Sequence, residues 1–281
     1  MKNKLYTYNI SELDDLSLYE FWYEKMNDAR RKKIDAYKFA NDKKLSLAAG
    51  ILLHKALSEL GITEYEIGVV GREKPVLKGH EDIFFNLSHS GQMAALGISD
   101  REIGIDIEKC RHFEDSLIRY VFTEKERELA TKLADFEGTP DAEKNYRREE
   151  QESLKQTMHP DRIVTGVDAG GSRKNVSFTK QDVVYTRFWT AKESIMKHSG
   201  LGIAMEPKKI ELWPEEPVPE STIIGAALKG PDPEKEIFPR LIPVCDDYDC
   251  GRLALTSYRI EGYQFTLCSE YRGSEFDLCG N

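Results

Sequence analysis

The sequence predicts an α+β protein built as two sub-domains that meet near residue 103. Three observations carry this reading. Helical apolar spacing is confined to a few stretches of the chain. Short apolar or alternating runs bounded by turn residues fall between them and read as strands. The helices and strands then sort into two blocks, 1–103 and 104–281, each holding a helix and several strands, which is the pattern of helices packed on one face of a sheet.

The elements follow in order. In 45–60, Leu45, Ala48, Leu52, Ala56 and Leu60 recur at helical spacing and Gly61 ends the run. A basic stretch precedes it, from Arg30-Arg31-Lys32-Lys33 through Lys38, Lys43 and Lys44. Strands are predicted at 65–70, 83–87, 94–98 and 103–107, separated by turn signals at Gly71, Gly79, Ser90-Gly91 and Ser99-Asp100. Thr123 with Glu126 three residues on is a capping box, and Leu129 and Leu133 continue the apolar face of the helix it opens. From about 136 to 179 the chain is polar and aperiodic, with too little apolar surface to offset ordering entropy, and is expected to be a mobile insertion. A helix is expected from Gln181, carrying Val184, Phe188, Lys192, Ile195 and Met196, and closed by Gly200. Eight of the eleven prolines lie between Pro207 and Pro243, which restricts the end of the chain to short strands and turns, at 209–213, 222–228, 252–258 and 263–269.

Composition excludes several classes. No apolar run approaches the length of a membrane span, and the N-terminus has no secretory pattern. The formal net charge of −9 argues against nucleic acid as a partner, because its basic residues would have to cluster to bind a polyanion. The five cysteines, Cys110, Cys245, Cys250, Cys268 and Cys279, form no Cys-x-x-Cys pair, so free thiols in a reduced cytoplasm are expected.

Four constellations carry chemistry. Ile103-Gly104-Ile105-Asp106-Ile107-Glu108 alternates, so the isoleucines face a core and Asp106 and Glu108 share the other face, about 6.6 Å apart at Cα. Two such carboxylates suit a hard divalent cation, or are two acids on a solvated strand face. In Trp189–Lys197, Trp189, Glu193, Met196 and Lys197 share a helix face; Glu193 there is a further metal ligand or a general base, or half of an ordinary Glu–Lys pair. Asn86-Leu87-Ser88-His89-Ser90-Gly91 reads as a strand end turning into a loop, with hydroxyls, an imidazole and backbone N–H groups suited to phosphate. The basic run 30–44, with Lys74-Pro75, is a solvated helix face or the landing place of a polyanion.

These four segments, in this order, resemble the surfactin-type 4′-phosphopantetheinyl transferases. The matching stretches are Glu73-Lys74-Pro75, Phe85–Gly91, Gly104–Glu108, and Phe188-Trp189-Thr190-Ala191-Lys192-Glu193-Ser194 with Lys197 and Gly200. The resemblance implies a fold of two similar α+β halves with the active site between them. It implies transfer of the phosphopantetheine arm of coenzyme A to a serine of an acyl or peptidyl carrier protein, with release of adenosine 3′,5′-bisphosphate. Carried over residue by residue, Asp106, Glu108 and Glu193 would hold one Mg²⁺ against the diphosphate. Ser88 and His89 would contact ligand phosphates, with Arg30, Lys33 and Lys74 near the nucleotide. Lys192 and Lys197 would lie near the transferred phosphate, and Glu193 would be the base. Residues 200–230 would meet an acidic carrier, Leu201, Ile203 and Met205 through apolar contact, and the chain would act as a monomer. Leu45 stands where the family usually has an arginine. Two rival readings are a non-catalytic relative that binds coenzyme A or carrier, and a metal-dependent phosphohydrolase.

Overall fold

The computed structural model describes residues 3–70, 74–136, 178–215, 240–245, 248–260, 262–270 and 276–278. The insertion, except at its two ends, the strand expected at 222–228, Glu73 and Cys279 lie outside the described residues.

The first half lays one long helix on a sheet that is antiparallel except at one edge. Strand β1 (Asn3–Asn9) leads into helices α1 (Leu16–Lys25), α2 (Asp28–Ala36) and α3 (Ala40–Glu59). Helix α3 buries Leu47, Ala48, Ile51, Leu52, Ala56 and Leu57, and Gly61 in the left-handed region (φ 77°) ends it, as its missing Cβ allows. A ribbon of β2 (Ile67–Val70) and β3 (Lys74–Leu77) follows, then the hairpin β4 (Phe84–Ser90) and β5 (Met93–Ser99). The sheet runs β11-β1-β5-β4, where β11 (Phe276–Leu278) joins β1 in parallel at one edge and β4 forms the other.

The second half repeats the plan with its own helix and sheet. Strand β6 (Ile103–Lys109), helices α4 (Asp115–Val121), α5 (Glu124–Phe136) and α6 (Lys180–Ser199), the ribbon β7 (Ile210–Pro214)–β8 (Leu241–Cys245), and the hairpin β9 (Leu253–Ile260)–β10 (Tyr263–Glu270) make it up. Its sheet is β6-β10-β9, antiparallel, with β6 at the edge. The α+β class predicted from the sequence is thus the observed one; the chain leaves the first sheet between β5 and β6 and returns to it at β11.

Each half has a core, and a third core joins them. Ile103, Ile105 and Ile107 pack with Leu5, Met93 and Ala95 of the first sheet and with Tyr258, Phe265 and Leu267 of the second. The alternation read in β6 is therefore used on both faces: the isoleucines join the sheets, and Gly104, Asp106 and Glu108 turn toward α6. Gly104 is what lets the helix approach, since a Cβ there would lie 2.0 Å from the Ser194 carbonyl oxygen and 2.5 Å from the His198 nitrogen. Helix α6 starts at a capping box of Thr179 and Asp182 and stops at Gly200, φ 70°.

Several elements escaped the sequence reading: β1, α1, β3, α4, β8 and β11; α2 was read only as the helix-face alternative for the basic run 30–44. The segment 86–90, expected as a strand running into a loop, is strand through Ser90. The cysteine expectation is corrected at one pair. Cys245 and Cys250 form a disulfide, with Cα atoms 6.0 Å apart, while Cys110 and Cys268 are free and buried. Between the pair, Tyr248 is anchored by its hydroxyl to His198 Nδ1 at 3.0 Å. Counting cysteines and scanning for Cys-x-x-Cys takes no account of a loop that returns on itself.

Candidate active site

The edges of the two sheets, β4 and β6, lie side by side under the C-terminal half of α6, and the chemistry sits there. Asp106 is buried on β6. Its Oδ1 accepts from the Ser88 hydroxyl at 2.8 Å and from Lys197 Nζ at 2.6 Å. Lys197 Nζ also donates to Ser88 Oγ at 3.0 Å. Asp106 Oδ2 is buried and has no hydrogen-bond partner among the described residues. Glu108, one pleat further, is half-buried, and its Oε2 accepts from Ser90 Oγ at 2.7 Å. Glu193 sits one turn before Lys197 on α6, also half-buried.

The three acids share one electrostatic neighbourhood. Burial raises the Asp106 carboxyl above the ordinary range, against the lowering effect of Lys197 and Ser88. Glu108 is raised by burial first and then by the charge of Asp106, with Ser90 opposing. Glu193 is raised by burial, by Asp106 and by Glu108, with Lys197 opposing. Three carboxylates raised by burial, the two glutamates also by the charge of Asp106, and one of the three with an orphaned oxygen, form a set of hard oxygen donors short of positive charge. Among the described residues they do not close into a group of three around a single ion position. The donor chemistry fits Mg²⁺, which uses one or two carboxylates and completes its shell with water and phosphate oxygens.

The other expected site residues divide into two groups. His89 points from β4 to the side opposite Ser88 and is exposed. Its imidazole is held below the usual range by desolvation and then by Lys197, with smaller effects from Lys33 and Asp42, so Lys33 stands within its field. Arg30 on α2 is half-buried beside Gly50 of α3, with burial lowering its pKa and Tyr65 and Tyr37 opposing.

Three others are committed elsewhere. The Ser88 hydroxyl donates to Asp106 and accepts from Lys197 and from the Ile107 N–H at 3.3 Å, which uses its one proton and both lone pairs and leaves none for a phosphate. Lys74 pairs with Glu102 and donates to the His198 carbonyl at 3.0 Å, where its charge complements the C-terminus of α6. Lys192 is fully buried behind α6. Its ammonium donates to Glu126 Oε2 at 2.8 Å and to the carbonyls of Val121 and Pro207 at 3.0 Å each. All three of its protons are spent, so the place beside the reacting phosphate expected for Lys192 is not where it lies. The spacing Lys192-Glu193-x-x-x-Lys197 already hints at this, since adjacent residues on a helix point about 100° apart. The departure at Leu45 is also packing, because that side chain is buried in the first core.

Sequence reasoning named Ser90 and Asn86 only within a phosphate-type segment and Glu126 only as a cap, and missed the partners they hold. The first two were visible as a period-2 polar pattern on β4, in step with Gly104, Asp106 and Glu108 on β6. Glu126 was read only as a helix cap. It is also the buried partner of Lys192 and accepts from the Leu212 N–H at 3.1 Å.

An α+β chain that sets paired carboxylates, a lysine and a cationic outer face at the junction of two sheets has the parts for phosphoryl-group transfer. Residues 102–230 match the model of the 4′-phosphopantetheinyl transferase superfamily. It is 24 % identical over 179 residues to a 4′-phosphopantetheinyl transferase of Bacillus subtilis, covering 63 % of this chain and 61 % of that protein. It is 29 % identical over 153 residues to the 4′-phosphopantetheinyl transferase HetI of Nostoc sp., covering 52 % of this chain and 46 % of that one. The aligned part of the chain thus spans less than two thirds of either relative.

Proposed function

We propose that this protein transfers the 4′-phosphopantetheine group of coenzyme A to a serine of an acyl or peptidyl carrier protein in a Mg²⁺-dependent reaction. The observation that carries the proposal is the buried Asp106 between the sheets, held by Lys197, with one carboxylate oxygen left without a hydrogen-bond partner among the described residues and with Glu108 and Glu193 in its field. Asp106, Glu108 and Glu193 would supply the protein's ligands to the ion. Bound Mg²⁺ would neutralise charge on the coenzyme A diphosphate. Lys197, held on Asp106, adds positive charge beside the transferred phosphate. Glu193 also takes the proton of the carrier serine, directly or through water. A bond forms from the serine Oγ to phosphorus, the bridging P–O bond breaks, and adenosine 3′,5′-bisphosphate leaves with the electron pair. His89, Lys33 and Arg30 hold the nucleotide end, His89 at the 3′-phosphate.

The carrier would dock on the turn after α6. Ile203 is 95 % and Leu201 39 % exposed there, whereas Met205 is buried and is not available to it. We take the enzyme to act as a monomer in the cytoplasm on an acidic carrier.

Incubation with coenzyme A, Mg²⁺ and a panel of apo carrier proteins, read by the mass of the intact carrier, tests the proposal. A phosphopantetheine mass gain that disappears with EDTA is expected. Phosphate release without a carrier would point to a hydrolase. Coenzyme A binding with no transfer to any carrier would point to a non-catalytic relative.

A further inference from the structure

Strand β6 is an edge strand whose outward N–H groups at Ile105 and Ile107 are buried, and such groups must find partners. No backbone ladder supplies them on the β4 side. Side chains of β4 do so instead, at a constant offset of 19 residues: Ile105 N donates to Asn86 Oδ1 at 2.9 Å, Ile107 N to Ser88 Oγ at 3.3 Å and Lys109 N to Ser90 Oγ at 3.1 Å. The two serines do a second thing. Each hydroxyl donates a hydrogen bond to the carboxylate of the residue just before the N–H it accepts from, Ser88 to Asp106 and Ser90 to Glu108. A hydroxyl in this arrangement is fixed by the main chain on one side and aims a carboxylate on the other.

We propose that Ser90 is a positioning residue that orients Glu108 for metal binding, so that a strand of the first half sets the ligand geometry of the second. The inference rests on the reading of the site given above. Ser88 has the same relation to Asp106 but also touches Lys197, so its removal would disturb two groups at once. Ser90 is only half-buried and bonds Glu108 and the Lys109 N–H. Lys109 is exposed and its N–H can turn to water, so the fold survives loss of the hydroxyl.

Outer partners of metal ligands typically contribute about 10–100-fold to metal affinity. The experiment is Mn²⁺ binding to the full chain in the presence of coenzyme A and without carrier, followed by electron paramagnetic resonance. Alongside it, the Mg²⁺ dependence of transfer is measured. Ser90→Ala is expected to weaken Mn²⁺ binding by about 10–100-fold and to raise the Mg²⁺ needed for half-maximal rate in parallel. The rate at saturating metal should stay close to the parent's. Ser90→Thr, which keeps the hydroxyl, should restore binding, and Ser90→Ala should add nothing further on a Glu108→Gln background. Parent-like Mn²⁺ binding by Ser90→Ala would overturn the inference, as would failure of Ser90→Thr to restore it while its melting temperature is unchanged. If the parent itself neither binds Mn²⁺ with coenzyme A nor transfers to any carrier, the reading of the site falls, and this inference with it.

Discussion

The position of Lys192 allows catalysis and architecture to be separated in one substitution. Its side chain and that of Glu126 are 0 % and 1 % exposed, and the pair joins four elements of the second half. Glu126 caps α5 through the Thr123 N–H at 2.8 Å and accepts from Leu212 of β7, while Lys192 ties α6 to the end of α4 and to the turn before β7. Burial lowers the Lys192 pKa, and the charge and hydrogen bond of Glu126 oppose it. Lys192→Met keeps most of the volume but strands a buried carboxylate and two carbonyls. Removing one partner of such a pair costs about 3–5 kcal/mol. In a chain of this size, that corresponds to a fall in melting temperature of about 6–20 °C. Thermal unfolding by circular dichroism, with transfer assayed well below the transition, reads both quantities. The expected result is a large loss of stability with activity per folded molecule close to the parent's. A variant with the parent's melting temperature and no transfer would refute the reasoning and return Lys192 to the reacting phosphate.

Further outcomes follow from the same geometry. Asp106→Ala should abolish transfer while leaving the melting temperature equal or higher, because a buried carboxylate with one unpartnered oxygen and a raised pKa is held at an energetic cost; a fall in stability would show that its bonds to Ser88 and Lys197 outweigh that cost. Gly104→Ala would push α6 off β6, since its Cβ meets backbone and not a movable side chain. It should lose about 3 kcal/mol or more together with transfer, and a parent-like melting curve would contradict the close approach. Asp182, bonded to the N–H groups of Thr179 and Phe113, has its pKa lowered despite burial. Its stabilisation is therefore present above the pKa of an unfolded aspartate and fades as pH falls through the lower folded value. The stability gap between the parent and Asp182→Asn, measured by urea unfolding, should be flat from about pH 5 to 7 and close below about pH 4.

What could be read before folding was local and periodic. Helix α6, its stop at Gly200 and the capping box of α5 declared themselves because 3.6-residue spacing and cap chemistry are properties of short stretches. The two-faced strand β6 was legible for the same reason. Strand β1 was not, because its sequence opens on Asn3 and Lys4 and its pairing partner β5 lies some 90 residues away, a fact no window contains. The Cys245–Cys250 bridge and the Lys192–Glu126 pair were hidden likewise, since each depends on where a chain returns. Polar residue types gave a list of candidates for the site, and only their partners decide among them: Lys197 and Lys192 are five residues apart, yet one holds Asp106 and the other holds the fold.

The distribution of polar bonds between β4 and β6 also bears on why the site lies at a junction of sheets. If β4 and β6 were joined by a backbone ladder, the N–H groups of residues 105, 107 and 109 would be satisfied by carbonyls, and no hydroxyl would be available to aim Asp106 and Glu108. Leaving the two edges unpaired and bridging them with Asn86, Ser88 and Ser90 turns a structural requirement into a device for orienting charge. The arrangement needs both periods to be two and both strands to advance together, since a shift of one residue would present Leu87 and His89 to β6 and turn its acids into the isoleucine core. The register of the halves and the orientation of the carboxylates are thus set by the same three side chains, and a substitution among them should perturb metal affinity before it perturbs folding.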